Sequence, residues 1–284
     1  MTELEPVAAT LQKLSYTGIT FKQRTPEESA KYKADCYNAE IGDLDAEDGF
    51  SCSACRNKGW IEVAKQDAFG NWGQYWRQCK CMKTRSTIKK MKRSGLKDII
   101  RDYTFDKYEA SEKWQQAIKT AAQGYAESPD GWFFIGGQTG AGKTHICTAI
   151  CREFLLAGKE VVYMLWRDDV VKIKSNANDA EKYGELVDRF KKAEILYIDD
   201  LFKTGRASDG EKQRPTGADV NVAFEVLNFR YNEKLPTIVS SECTLDDLLD
   251  IDEATGGRIF ERAKAFSLKP DRNRNYRLRR VIEI

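Results

Sequence analysis

Eight consecutive residues in the middle of the 284-residue chain have the types and order that bind phosphate groups. Glycines at fixed positions let backbone N–H groups curl around phosphates, and the N-terminus of a following helix adds favourable positive potential. We expect Lys143 to reach the β- and γ-phosphates of ATP, and the Thr144 hydroxyl to bind Mg²⁺. His145, the only histidine, follows on the same helix, where packing beside the nucleotide is its expected role. The eight residues are Gly137, Gln138, Thr139, Gly140, Ala141, Gly142, Lys143 and Thr144.

Two adjacent acids follow an apolar run at Ile195–Ile198. The run predicts a buried strand, and ligands bind at the C-terminal ends of such strands. We expect Asp199 to hold Mg²⁺, through water, as a Walker B acid. Asp200 is then placed to orient or deprotonate the attacking water. Without the phosphate loop, the two acids would indicate only an acidic turn, but with it they predict an ATPase.

Four cysteines have the spacing of a metal site. A Cys-x-x-Cys turn closes around Zn²⁺, and four thiolates complete a structural tetrahedron that leaves no place for a catalytic water. The Cys-x-Cys half is the less common one, so four reduced cysteines without metal, or a redox pair, remain alternatives. Cys36 is a possible replacement ligand. The predicted ligands are Cys52, Cys55, Cys79 and Cys81.

Short apolar segments alternate with helical patterns in the second part of the chain. This alternation predicts an α/β fold, in which a parallel sheet is covered by helices on both faces. Before it, residues 51–82 predict two strands of a zinc ribbon, and Thr25 predicts the start of a helix that ends near Asn38. The predicted sheet strands are Trp132–Ile135, Val161–Trp166, Ile195–Ile198, Thr237–Ser240 and Ala265–Leu268.

Composition and charge exclude a membrane protein and leave DNA as a candidate partner. No apolar run approaches the roughly 20 residues that a bilayer helix needs. The acidic N-terminus is not a secretion signal, so the eight cysteines predict a reducing cytoplasm. A basic stretch predicts sequence-independent contact with single-stranded DNA, with a solvated linker as the alternative. Its basic residues are Lys80, Lys83, Arg85, Lys89, Lys90, Lys92, Arg93, Lys97 and Arg101, and a second cluster comprises Arg272, Arg274, Arg277, Arg279 and Arg280.

From about Tyr103 onward the chain resembles DnaC/DnaI-type replicative helicase loaders, especially phage and prophage versions. The resemblance rests on the Walker motifs combined with the cysteines, Tyr103–Tyr108 and Ser240–Glu242. It implies a P-loop AAA+ fold of three layers, with a central parallel sheet and no helical lid. The small domain in front would be helical and zinc-ribbon-like. The expected domains are 1–82 for helicase interaction, 83–102 as a basic linker, and 103–284 as the ATPase.

The same resemblance assigns further site residues. Arg258, with Arg262 as second choice, is the expected arginine finger, which acts on the γ-phosphate of a neighbouring subunit. Arg277 resembles the second sensor arginine. The first sensor is left open between Ser240, Ser241 and Glu242. For these arginines the alternative is ordinary solvated surface charge.

The implied function is ATP-dependent loading of a DnaB-type helicase hexamer onto single-stranded DNA, in a bacterial cell and with either a phage or a host gene. The loader would self-associate through its ATP sites. One alternative is an IstB-like transposition helper ATPase, which the cysteine module disfavours. Another is a nucleotide-sensing zinc adaptor without turnover, which the second acid, Asp200, disfavours.

Overall fold

The computed structural model describes residues 24–93, 96, 98–205 and 213–278. Two compact units are present: residues 1–43 with 52–79, and residues 44–51 with 80–284. The predicted domain bounds stay predictions, because a division by contacts measures compactness and not independent folding. In chain order, the elements are α1 Pro26–Ala39, α2 Leu44–Asp48, β1 Trp60–Gln66, β2 Trp72–Gln78, α3 Cys81–Arg93, α4 Ile99–Asp102, α5 Lys113–Glu127, β3 Trp132–Gly137, α6 Lys143–Leu156, β4 Val161–Leu165, α7 Trp166–Ser175, α8 Ala180–Lys191, β5 Ile195–Leu201, α9 Gly217–Asn232, β6 Thr237–Ser241, α10 Leu245–Ile251, α11 Glu253–Arg262 and β7 Ala263–Leu268.

The first unit pairs a helix with a β-hairpin. Thr25 and Glu28 form the reciprocal capping box that the sequence predicts at the start of α1. Strands β1 and β2 are antiparallel, and the turn between them contains Gly70 at φ +83°. Asn38 of α1 exchanges two hydrogen bonds with the backbone of Glu62, at 2.7 and 3.0 Å. This exchange fixes the helix against the hairpin.

The second unit contains a five-stranded parallel sheet in the order β4-β5-β6-β3-β7. Successive residues of a strand point to opposite faces. Trp132 and Phe134 pack in one core with Val226 of α9, whereas Phe133 contacts Tyr125 of α5 on the other face. Helices therefore cover both faces, and the predicted three-layer α/β fold is confirmed.

All five predicted sheet strands overlap the observed ones, but each has an end that differs by one to three residues. Trp166 belongs to helix α7 and not to β4, because the carboxylate of Asp169 accepts the Leu165 N–H at 2.9 Å and closes the first helical turn. Helix α5 is capped by Glu112, because Glu112 and Gln115 form the reciprocal side-chain box.

Buried Arg230 joins three segments of the second unit. Its guanidinium donates to five acceptors, at distances from 2.6 to 3.1 Å, and none of its surface is exposed. A buried charge is tolerated where every donor is used in this way. Arg230 thus holds the end of α8 to the start of β6. The acceptors are the Thr237 hydroxyl and the carbonyl oxygens of Phe190, Lys191, Ala193 and Pro236.

Helix α3 occupies most of the stretch that the sequence predicts as a basic linker. The Thr87 hydroxyl donates to the carbonyl of Val161 at 2.6 Å, and Lys90 Nζ donates to that of Tyr163 at 2.8 Å. Lys90 also pairs with Asp169 at 2.8 Å. The helix is therefore packed along strand β4.

Within residues 269–278, the described part of the chain beyond β7, the regular structure is a 3₁₀ turn at Arg272–Arg274. Arg279 and Arg280 of the predicted second basic cluster, and Lys97 of the first, lie outside the described residues. None of the described helices has the length and apolar character needed to span a membrane.

Candidate nucleotide site and metal centre

The phosphate-binding loop connects β3 to α6, as the sequence predicts. Gly137 has φ +97°, and an added Cβ would lie 2.1 Å from the carbonyl oxygen of Leu268, so a side chain cannot be accommodated. The buried Lys143 donates from Nζ to the carbonyls of Gly137 and Gln138, both at 2.8 Å. These carbonyl contacts are weaker partners for an ammonium than phosphate is. Lys143 is therefore placed to exchange them for a nucleotide.

A cavity of about 390 Å³ opens beside this loop. Among the predicted nucleotide-binding residues, Gly137, Gln138 and Ala141 do not line this cavity. The others line the cavity: Thr139, Gly140, Gly142, Lys143, Thr144, His145 and Arg277. The sequence motif and the shape of the cavity thus agree on where a triphosphate would lie.

Asp199 lies at the C-terminal end of β5 and is buried. Its carboxylate accepts hydrogen bonds from the hydroxyls of Tyr163 and Tyr197 at 2.8 Å and of Ser240 at 2.6 Å. Burial, and then the nearby charge of Asp200, raise its pKa above the ordinary value, although the hydroxyls oppose this. The Thr144 hydroxyl is 3.5 Å from the same carboxylate. Paired hard oxygen donors suit Mg²⁺.

Asp200 is directed differently from Asp199 by an irregularity in the strand. The pairing of β5 with β6 shifts between Ile198 and Leu201, and Asp200 has φ +59°. Such bulges re-aim side chains near functional sites. Asp200 lines the cavity, and its carboxylate pairs with Lys203 Nζ at 2.7 Å. The same Nζ atom is 3.3 Å from the carboxylate of Glu242. Sequence reasoning assigned nothing to Lys203.

Arg277 reaches the cavity because the segment before it is attached to the phosphate-binding loop. The backbone N–H of Tyr276 donates to the carbonyl oxygen of Gly140 at 3.0 Å. The Tyr276 hydroxyl donates to the carbonyl oxygen of Glu109 at 3.3 Å. The Arg277 side chain is exposed. It lies on the same chain as the cavity it lines, which is the placement expected of a sensor.

His145 faces aromatic side chains. Its ring centroid is 5.3 Å from that of Tyr103 and 5.7 Å from that of Tyr108, and Nε2 is 3.0 Å from the Thr104 carbonyl. Burial lowers its pKa, which favours the neutral ring. These contacts fit the expected packing role.

Arg258 is outside the cavity of its own chain. Its guanidinium donates to Asn228 at 3.0 Å and to the carbonyl of Ala254 at 2.7 Å. It also lies over the rings of Phe224 and Tyr231, 4.9 and 5.5 Å from their centroids. Arg258 thus belongs to a half-buried surface of α9 and α11. The structure does not bring it to Lys143.

The four predicted metal ligands come together. The Sγ atoms of Cys52, Cys55, Cys79 and Cys81 lie within 4.8 Å of one another. Cys52 and Cys79 are 3.9 Å apart, much longer than a disulfide bond of about 2 Å. Thiolates bound to one Zn²⁺ at about 2.3 Å would be about 3.8 Å apart. The residues therefore fit zinc.

Local turns hold the first two cysteines in place. Arg56 and Asn57 have positive φ values of 49° and 67°. The Asn57 side chain accepts the Cys52 N–H at 2.6 Å, and the Gly59 N–H points at Cys55 Sγ from 3.3 Å. An N–H donor of this kind stabilises a thiolate. The alternative ligand Cys36 is exposed and outside this group.

A phosphate loop at a helix N-terminus, an acidic pair on β5, one strand removed from β3, and this strand order define an ATP-binding domain of the AAA+ class. Residues 68–263 match the family described as IstB-like ATP binding protein, and the chain belongs to that family. The resemblance to DnaC/DnaI-type proteins is confirmed by the relatives and structures with which the chain aligns.

Two curated relatives illustrate the range of the family. The chain is 30% identical over 223 residues to the phage-like element PBSX protein XkdC of Bacillus subtilis (strain 168), covering 75% of this chain and 79% of that protein. It is 23% identical over 192 residues to the replicative helicase loader DnaC of Escherichia coli (strain K12), covering 66% and 72%.

Two solved structures share the fold. A crystal structure of the DnaC helicase loader aligns with TM-score 0.50 and 18% identity, over 61% of this chain and 98% of that one. The replication initiator DnaA, bound to AMPPCP and single-stranded DNA, aligns with TM-score 0.50 and 19% identity, over 62% and 52%.

Proposed function

We propose that this protein is an ATPase that loads a DnaB-type replicative helicase hexamer onto single-stranded DNA. The observation that carries the proposal is the similarity to the helicase loader DnaC over 192 residues. The cavity at the phosphate loop, which Asp200 lines and where Thr144 lies 3.5 Å from the buried Asp199, supports turnover and not binding alone.

In the proposed reaction, water attacks the γ-phosphorus and the bond to the β,γ-bridging oxygen breaks. Lys143 would bind the β- and γ-phosphates, and Thr144 and Asp199 would hold Mg²⁺, Asp199 through water. Bound Mg²⁺ supplies charge neutralisation on the phosphates. Asp200 orients the attacking water and accepts its proton, for which a carboxylate on the cavity wall is suited.

Hydrolysis is proposed to need a second subunit. Arg258 lies outside its own cavity, and an arginine finger acts on the γ-phosphate of a neighbour. Arg277, in contrast, lines its own cavity. We assign Arg258 to action in trans and Arg277 to action in cis. ATP would thereby join subunits.

The first unit, which contains Cys52, Cys55 and Cys79, is proposed to bind the helicase, with zinc in a structural role. Its hairpin exposes the aromatic side chains of Trp60, Phe69 and Trp76, by 44%, 89% and 55%. Exposed aromatic side chains of this kind are enriched in protein interfaces. Their presence supports a protein partner more than a nucleic acid for this unit.

The proposed contact with single-stranded DNA is narrower than the whole basic stretch. Lys83, Arg85 and Lys90 pair with acids of the same chain. We assign the contact to the exposed cations that remain. These are Lys80, Lys89, Arg93 and Arg101.

A binding experiment with the full chain separates the candidate functions. The tagged protein should retain a purified DnaB-type hexamer in the presence of ATP, and should stimulate its loading onto circular single-stranded DNA. The Lys143→Ala variant is the control, because it keeps the cysteine unit and should not respond to ATP. Recovery of a transposase from the host in place of the helicase would favour the transposition helper. Helicase binding without ATP turnover would favour the adaptor.

A further inference from the structure

Lys203 lies between two carboxylates on the wall of the nucleotide cavity. Its Nζ is 2.7 Å from Asp200 Oδ2 and 3.3 Å from Glu242 Oε1. The residue follows β5 in a tight turn, in which its backbone N–H donates to the carbonyl of Asp200 at 2.9 Å. Its position is therefore fixed by the same turn that places Asp200.

The ammonium of Lys203 stays charged in this setting. Burial by itself lowers its pKa, but hydrogen bonds and charge from Asp200 and Glu242 outweigh burial and raise it. The same groups act on Lys143. Burial lowers the pKa of Lys143, the charges of Asp200 and Glu242 oppose this decrease, and the charge of Lys203 adds to it. Four charged side chains thus interact across one cavity, where a γ-phosphate would be a fifth charge.

Two of the three candidate sensors cannot reach a nucleotide. The Ser240 hydroxyl donates to Asp199 at 2.6 Å, and the Ser241 hydroxyl donates to the Leu201 carbonyl at 2.6 Å. Both serines are fully buried, and neither lines the cavity. Glu242 does line it, but a carboxylate repels phosphate. A cation beside Glu242 would offset this repulsion, and Lys203, which also lines the cavity, is 3.3 Å from Glu242.

We infer that Lys203, held by Glu242, is this chain's own ligand for the γ-phosphate of a nucleoside triphosphate. When the triphosphate binds, the ammonium leaves Asp200 and contacts the γ-phosphate while it remains on Glu242. Asp200 is then released to act on water. A nucleoside diphosphate offers no γ-phosphate, so Lys203 stays paired with Asp200. The pair Lys203–Glu242 takes the place of a neutral polar sensor.

The inference rests on the proposed ATPase function, and affinity measurements test it separately. Dissociation constants would be measured with Mg²⁺ for ADP and for a non-hydrolysable ATP analogue. Lys203→Ala should weaken binding of the analogue by roughly 10- to 100-fold, the range for one hydrogen bond to a charged group, and leave the affinity for ADP nearly unchanged. Lys203→Arg should retain most of the preference. A Lys203→Ala protein with the wild-type ratio of the two constants would overturn the assignment.

A matched control removes the same charge elsewhere. Lys192 is an exposed lysine that pairs with Asp188 at 2.6 Å and does not line the cavity. Lys192→Ala should bind both nucleotides as the wild type does. Equal weakening of the analogue in both variants would reduce the effect of Lys203 to net charge and would also overturn the assignment.

Compensation tests the charge argument itself. In Lys203→Ala, Glu242 becomes an unneutralised anion beside the γ-phosphate. Lys203→Ala/Glu242→Gln should therefore bind the analogue more tightly than Lys203→Ala, by several-fold, while ADP affinity stays constant. No recovery would contradict the role of Glu242. Wild-type protein that binds neither nucleotide would instead refute the proposed ATPase, so the two failures are distinguishable.

Discussion

At the cysteine cluster, four thiols of one chain lie within 4.8 Å of one another, which is enough to fill a tetrahedral coordination sphere. At the nucleotide cavity, the charged groups are paired among themselves: Lys143 with loop carbonyls, and Lys203 with Asp200. Arg258 lies on another surface altogether. One site is complete within the chain, whereas the other has side chains that must change partners.

This difference separates stability from switching. A closed ligand set contributes to the folding of the unit that contains it, and its removal costs structure. A cavity whose ion pairs are replaced when a ligand binds contributes little to stability. Each such pair can instead be exchanged for contacts with the ligand. The ligand shifts the equilibrium between the two arrangements only by the difference between its affinities for them. We therefore expect substitutions at the two sites to fail in different ways.

The largest expected effect is at the phosphate loop. Lys143→Ala should abolish nucleotide binding, because the cation that faces the β- and γ-phosphates is lost. Asp200→Asn should bind ATP and stop turnover, since water activation is removed and Lys203 can still contact the γ-phosphate. Binding would be followed with a fluorescent nucleotide and turnover by phosphate release. Equal turnover in wild type and Asp200→Asn would remove Asp200 from the mechanism.

Arg258→Ala should bind ATP normally and lose about 10³-fold or more in hydrolysis, the scale of a missing arginine finger. Mixing it with Lys143→Ala should restore activity, because some interfaces then contain an intact loop and an intact finger. The same mixture made with Arg262→Ala tests the second choice.

Contacts of Arg258 with Phe224 and Tyr231 inside its own chain are the competing explanation for a loss. Such contacts contribute only about 0.5–1 kcal/mol. They would lower the melting temperature of Arg258→Ala and could not be rescued by mixing. A mixture that stays inactive, although sedimentation demonstrates co-assembly, would contradict action in trans.

Metal removal should affect the other site. We expect one Zn²⁺ per chain by elemental analysis, and almost none in Cys52→Ser/Cys55→Ser. That variant should lose helicase binding and keep nucleotide binding, because the cavity has no ligand from the cluster. Metal binding should weaken as pH falls, since protons compete for the thiolates. Cys36→Ser, an exposed cysteine outside the cluster, is the matched control. Unchanged metal in the double variant would refute the site.

The smallest expected effect concerns Asp199. Because its pKa is raised above 3.8 in the folded chain, ionisation opposes folding, and stability falls as pH rises from about 4 through the raised pKa. Asp199→Asn should therefore melt higher than the wild type at pH 7 without nucleotide. We expect roughly 2–4 °C, the shift that about 1 kcal/mol produces in a domain of this size. The advantage should disappear near pH 3.

Asp188 is a comparison for Asp199, because its pKa shifts in the opposite direction. It is an exposed carboxylate whose pKa is lowered, first by its hydrogen bond to Lys192. Asp188→Asn should leave the melting temperature unchanged or slightly lower at pH 7. A higher melting temperature for both variants would attribute the Asp199 effect to charge removal in general and not to burial.

The sequence identifies the groups whose partners are close along the chain. The phosphate loop, the acids at the C-terminal end of β5 and the Cys-x-x-Cys turn are local patterns, and the structure has each in the element that its pattern predicts. Lys203 was missed because no motif contains it, although its position three residues after Asp200, at the end of a strand, was an available signal. Tyr163 reaches Asp199 only through the pairing of β4 with β5. Such contacts depend on tertiary structure.

Charge patterning was the weakest guide for the same reason. The sequence predicts a basic linker over 83–102, whose charge indicates either contact with single-stranded DNA or ordinary solvation. The long stems of lysine and arginine side chains can nevertheless cover apolar surface while the charged ends find acids. Helix α3 does this, with Ile88 and Met91 fully buried and Lys90 on Asp169. The sequence pattern identifies the charged residues of α3 but not the acids and carbonyls with which they pair.

The packing of α3 along β4 has a practical consequence for shortened forms of the protein. β4 is one of the two edge strands of the sheet, and its carbonyls at Val161 and Tyr163 accept hydrogen bonds from Thr87 and Lys90. An uncovered edge strand recruits strands from other molecules and leads to aggregation. A truncated ATPase that begins at Tyr103 would lack helix α3 and leave the edge of β4 uncovered, whereas one that begins at Lys80 would keep the helix. In this fold, a charged helix protects the sheet from uncontrolled growth.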